Sequence, residues 1–198
     1  MSNISDSSFK FNIMALIKSV KGIRPTIGEN CFLAENATIT GDVIIGNGCT
    51  IWFNAVVRGD VHTIRIGDNV NIQDGAVIHA TYQKSPTSIG NNVSIAHNAI
   101  VHGCTIHDNV LIGMGSIVMD DVIVESNSII AAGAVVSKGT RIPSGTVWAG
   151  VPAKQIKETD KNLLEGEILR ISKSYQMYAS WYSEEANETN SVNCGDHQ

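Results

Sequence analysis

The sequence has no run of lysines and arginines. Fourteen basic residues stand against 19 acidic ones, for a net charge of −5. A chain without a basic face is poorly suited to a phosphate backbone, so nucleic acid is not an expected partner. No apolar stretch approaches the ~20 residues that cross a bilayer, and a membrane is not an expected partner either. The four cysteines, Cys31, Cys49, Cys104 and Cys194, show no CxxC spacing. They read as small reduced residues rather than a disulfide framework, in keeping with a cytoplasmic protein. The run FKFNIMALIKSV is the one candidate targeting segment. Its apolar part is short, Asp6 precedes it, and no small-x-small cleavage site follows. It is expected instead to dock on the end of the domain.

What the chain does have is a repeat. An aliphatic residue recurs every six positions at Ile27, Leu33, Ile39, Ile45, Ile51 and Val57. The register resumes at Ile66, Ile72 and Ile78, then at Ile89, Ile95 and Val101. It runs on through Ile106, Ile112, Val118, Val124, Ile130, Val136 and Ile142. Four places after most of these lies a small or β-branched residue, such as Ala37, Val70 or Ala99. Period six belongs neither to a helix nor to a flat strand. It fits a coil of three short strands, each turning a corner where Gly and Asn tolerate positive φ. The expected fold class is an all-β solenoid, a parallel β-helix of hexapeptide repeats. Equivalent residues of successive coils then stack at about 4.8 Å. Cys31 and Cys49, 18 residues apart, stack inside without bonding.

The repeat ends at WAGVPAK, Trp148 to Lys154. Leu164, Ile168, Ile171, Tyr175, Tyr178 and Tyr182 then recur at roughly helical spacing. This predicts one amphipathic α-helix over about 159–182, packed along the solenoid. The expected divisions are a docking segment at 1–20, the β-helix at 21–154, the helix at 155–183 and a disordered polar tail at 184–198.

The register also places the histidines. The step from Val57 to Ile66 is nine, from Ile78 to Ile89 eleven, and from Val101 to Ile106 five. If the extra residues bulge at corners, Val57, Ile78 and Val101 share one face. The residues that follow them, Arg58, His79 and His102, then stack in one corner column. Ile72 and Ile95 share the preceding face, which stacks Asp74 on His97 with Gln73 alongside. His97 therefore sits an edge of the triangle away from His79 and His102. A three-fold homotrimer could bring two histidines of one chain against the third of its neighbour. Three imidazoles leave a coordination position open for water, as in catalytic zinc sites. Arg58, Asp60, Gln73 and Asp74 lie at the same corners, where a carboxylate or amide orients a histidine or the bound water. Iron(II) and cobalt(II) also suit three imidazoles. His62 and His107 lie at loops and read as solvated turn residues.

The motifs RGD at 58–60, IGDNVNIQDGAVIHA at 66–80 and SIAHNAIVHGCTIHDN at 94–109 resemble the γ-class carbonic anhydrases. The resemblance continues through GVPAK and the C-terminal helix. It implies a left-handed β-helix and a homotrimer, with His79, His97 and His102 as ligands of Zn2+. It implies that Gln73 orients the metal-bound hydroxide, and that Arg58, Asp60 and Asp74 form an ion-pair network between subunits. The implied reaction is attack of metal hydroxide on a small substrate, carbon dioxide, followed by proton export. The sequence departs from the family's pattern where acidic residues move that proton. Val61 follows RGD, and the loop 81–88, TYQKSPTS, has no carboxylate. The helix segment SKSY at 172–175 lacks the asparagine some members carry there. A slow enzyme limited by proton export is expected, with His62 the imidazole nearest that corner. Two other functions fit the repeat: a hexapeptide acyltransferase or thioesterase acting on acyl-CoA, and a non-catalytic, metal-binding trimeric scaffold.

Overall fold

The computed structural model describes residues 15–192, with side chains over 15–182. The start of the candidate targeting run, Cys194 and His197 lie outside these residues. The chain forms a left-handed parallel β-helix whose strands are mostly two or three residues long. On one face Ile39, Val57, Ile78, Val101, Val118 and Val136 stand in register. On the next face the column is Ile27, Ile45, Ile66, Ile89, Ile106, Val124 and Ile142. The third runs from Leu33 through Ile51, Ile72, Ile95, Ile112 and Ile130 to Trp148. The hexapeptide aliphatics are thus the core, and nearly all of them are fully buried.

Left-handed corners fall at asparagines such as Asn69, Asn92 and Asn109. The amide of each donates to the next, Asn69 to Asn92 and Asn92 to Asn109. At one corner the approach is tighter still. Gly41 has φ +76°, and a Cβ there would lie 2.3 Å from the Gly59 carbonyl oxygen. Only glycine fits, and this contact seats the RGD corner on the coil below. Cys31, Cys49 and Cys104 are free thiols.

The expected division at residue 21 falls late. Leu16–Lys18 already pairs in parallel with Thr38–Thr40 as the first rung. The division at 155 falls inside a strand: Lys154–Glu158 turns back antiparallel on Thr146–Ala149. This return strand covers the open edge of the last coil, which the six-residue period says nothing about. Helix begins after Asp160, whose carboxylate accepts the Leu163 N–H at 2.8 Å. A π-helical stretch, Leu164–Leu169, interrupts it and delivers Ile168 onto Ile129 and Val147. The α-helix Arg170–Val192 follows and runs on past the expected end at 183. No helix of the described residues is long and apolar enough to cross a membrane.

Candidate metal centre

His79 and His102 end paired strands and face each other in register. The five-residue insertion between them loops out before the strand Thr87–Ile89 and is closed by a bridge between Thr81 and Ser85. His79 Nδ1 and His102 Nε2 are 3.0 Å apart. Each ring's other nitrogen meets a carboxylate. His79 Nε2 lies 3.1 Å from Asp60 Oδ1, and His102 Nδ1 lies 2.6 Å from Asp120 Oδ1. Asp60 is held in turn by the Arg58 guanidinium, at 2.6 Å within the same chain. The inserted loop packs on the far side. Thr81 donates its hydroxyl to Asp120 Oδ2 at 2.7 Å, leaving Oδ1 for the histidine.

Electrostatics favour a neutral His79 ring beside charged carboxylates. Burial, with the Arg58 and His102 charges, pushes His79 below the ordinary imidazole value, against the pull of Asp60. Burial pushes Asp60 and Asp120 up. The hydrogen bonds from Arg58 and His79 to the one, and from His102 and Thr81 to the other, outweigh it and hold both below the usual carboxylate range.

A neutral imidazole carries one proton. If each ring gives its N–H to its carboxylate, the two facing nitrogens both present lone pairs. A metal cation between them relieves that contact, as does a proton shared by the two rings. Two ligands about 2.0–2.1 Å from a tetrahedral zinc stand about 3.3 Å apart, close to the separation seen here. Histidines backed by carboxylates are the usual supporting arrangement for zinc.

His97 stands at a different corner, as the register predicts. Its Nδ1 is 2.9 Å from Asp74 Oδ2, and its Nε2 is 3.2 Å from the Tyr175 hydroxyl. Burial, then the Asp74 charge, pushes the Tyr175 phenol up to about 12, so it stays protonated. Gln73 is buried beside this corner and donates to Asn71 Oδ1 at 2.9 Å. The chain therefore gathers the expected residues into two separate clusters. One holds Arg58, Asp60, His79 and His102; the other holds Gln73, Asp74 and His97. Arg58 and Asp74 do not meet within the chain. Among the described residues, no three His, Cys, Asp or Glu side chains of one chain are placed to hold a metal ion.

Two participants escaped the sequence reading. Asp120 lies 18 residues after His102, one coil on, and the register could have found it. Tyr175 comes from the helix, 78 residues from His97, and no spacing rule connects them. His62 accepts the Thr63 N–H at 2.8 Å and lines a cavity of about 240 Å³ with Asp60. His107 pairs loosely with Glu125 at 3.7 Å.

The bacterial transferase hexapeptide model matches residues 24–59 and 103–138. A carbonic anhydrase of Geobacillus kaustophilus is 39% identical over 167 residues, covering 84% of this chain and 91% of that one. The chain belongs to the γ-carbonic anhydrase-like family of hexapeptide-repeat proteins. This γ-carbonic anhydrase-like chain is also 42% identical over 161 residues to "Gamma carbonic anhydrase 1, mitochondrial" of Arabidopsis thaliana. That match covers 79% of this chain and 57% of the plant protein. The chain thus spans little more than half the length of that relative. Among solved structures, a hexapeptide transferase family protein from Anaplasma phagocytophilum superposes with a TM-score of 0.80 at 37% identity. It covers 84% of this chain and 98% of its own.

Proposed function

We propose that this protein is a metal-dependent enzyme that hydrates carbon dioxide at the subunit interfaces of a homotrimer. In this reading His79 and His102 of one protomer and His97 of its neighbour hold Zn2+, Fe2+ or Co2+. The observation that carries it is the pair of ring nitrogens 3.0 Å apart, each backed by a carboxylate. The split between half-sites supports the trimer, because one chain supplies two ligands and the third points elsewhere. A metal ion bound there supplies an acidified water at neutral pH.

The chain's own residues do the rest. Asp60 and Asp120 fix the tautomers of His79 and His102 and so aim one nitrogen of each inward. Arg58 anchors Asp60. Asp74 holds the His97 ring by Nδ1, the Nε2 that meets the Tyr175 hydroxyl in the single chain is the nitrogen left for the metal, and the Gln73 amide beside it is the group to orient water or substrate. His62 and Asp60 share the cavity through which a proton could leave. The free thiols suit a reducing compartment such as the cytoplasm, although the Arabidopsis relative is named mitochondrial.

Asp120→Ala is expected to weaken zinc binding about 10–100-fold, because His102 loses the acceptor that fixes its tautomer. Competition against a calibrated chelator measures it. An affinity equal to wild type would mean that Asp120 serves only the loop above it.

A second reading, acyl transfer from or hydrolysis of acyl-CoA, has one observation in its favour. A cleft of about 410 Å³ runs beside Gln73 between Leu111, Met114, Ile171 and Tyr175, and its lining is mostly apolar. An acyl chain would suit it. Purified protein loaded with one metal per site separates the readings. Stopped-flow hydration of carbon dioxide above the buffer rate supports the first. Release of free thiol from acetyl-CoA with no hydration supports the second.

A further inference from the structure

The chain has three tryptophans, four tyrosines and four phenylalanines, and six of these eleven surround one recess of about 260 Å³. Trp52 and Phe53 come from a corner of the second coil. Tyr175, Tyr178, Trp181 and Tyr182 come from the C-terminal helix, at positions that return to one face. The rings form walls rather than a stack. Trp52 meets Tyr175 at 5.3 Å and 80°, and Tyr182 at 5.6 Å and 78°. Tyr178 and Trp181 continue the rim, 5.0 Å apart.

Docking of the helix accounts for part of this concentration, because Tyr175 and Tyr182 pack on Trp52 beside the covered Ile168, Ser172 and Ala179. It does not account for the outer rim. Trp181 and Tyr182 keep 53% and 43% of their surface exposed.

Among the described residues, Asp74 is the one charged residue lining the recess, no lysine or arginine lines it, and the lysine-over-ring contact is Lys21 on Tyr82, outside the recess. Aromatic faces carry negative potential, and a carboxylate beside them adds a full charge. Such a lining favours a cation with an apolar surface over a small, strongly hydrated ion.

We propose that this recess binds an organic cation, an alkylated ammonium group of a small molecule. Its occupant sits against the aromatic rim with its charge toward Asp74. Binding there requires neither His79 nor His102. Tyr175 and Asp74 nonetheless also hold His97, and the occupant lies beside that half-site.

The test is calorimetric titration of the full chain with tetramethylammonium chloride, with sodium chloride at equal ionic strength as the control. Saturable binding of tetramethylammonium and none of sodium is expected. Trp181→Ala is expected to weaken it about threefold to thirtyfold, with an unchanged thermal melt and sedimentation coefficient. Binding lost from Asp74→Asn but unchanged in Trp181→Ala would reduce the site to a plain ion pair and overturn the aromatic assignment. A flat titration of wild type would overturn the proposal. So would a change of oligomeric mass in Trp181→Ala without any cation binding, because the rim would then be covered by a second copy. Binding that emerges only in Arg58→Ala would overturn it as well, in favour of a guanidinium from that copy.

Discussion

His97→Ala should remove bound metal as completely as His79→Ala, although the two residues occupy different corners and share no partner. Within the chain His79 lies 3.0 Å from His102. In the proposed site His97→Ala deletes the third ligand, and among the described residues of one chain no third His, Cys, Asp or Glu is placed to join that pair around a metal ion. The decisive measurement is metal content after mixing. If the proposed split site is right, each intact site needs His79 and His102 from one protomer and His97 from the next. Every mixed ring of His79→Ala and His97→Ala chains then contains one correctly ordered interface. Random reassembly from equal amounts should restore about one quarter of the wild-type metal, with hydration returning in proportion. Neither parent should bind metal alone. A wild-type chain that sediments as a stable monomer with one metal would sink the split site, as would mixing that restores nothing.

Ile78→Ala should cost about 2–5 kcal/mol of folding stability. Ile78 is fully buried, in register between Val57 of the coil below and Val101 of the coil above. Coils of this kind contact only their neighbours, so a void there weakens two interfaces at once. The residue also precedes His79 on the same strand. The shift in the denaturant midpoint, taken at matched protomer concentration, gives the cost. Protein that remains folded should still carry metal, because the hydrogen bonds that aim His79 come from Asp60 and His102 rather than from Ile78. A loss under 1 kcal/mol would mean that the coil closes over the void.

Much of the site could be read before any coordinates. Residues 79 and 102 are neighbours because 23 is one coil of 18 plus a five-residue loop, and the strand pairing matches that count. The same arithmetic separated His97 from them and stacked it on Asp74. It would equally have found Asp120, one uninterrupted coil beyond His102. A solenoid makes this possible because each coil packs only on its neighbours, so a local period carries long-range position. The period falls silent where the chain leaves the coil. Nothing in it announces that Lys154–Glu158 returns as a strand, since that strand answers the need to cover an open sheet edge. Nor does it say where the helix lands. The helical spacing of Tyr175, Tyr178 and Tyr182 marks a face but not what that face meets. The packing of Ile168 on Ile129 and Val147, the hydrogen bonds of Ser172 and Gln176 to Asn69, and the Tyr175 and Tyr182 rings against Trp52 together set the helix against the prism. Those contacts put the Tyr175 hydroxyl on His97 and close the aromatic recess around Asp74. Sequence by itself determined the coil, its register and the two histidine columns, because those follow from a repeated local rule. Tertiary structure alone decided what the helix brings to them, because docking between surfaces distant in sequence has no period to betray it.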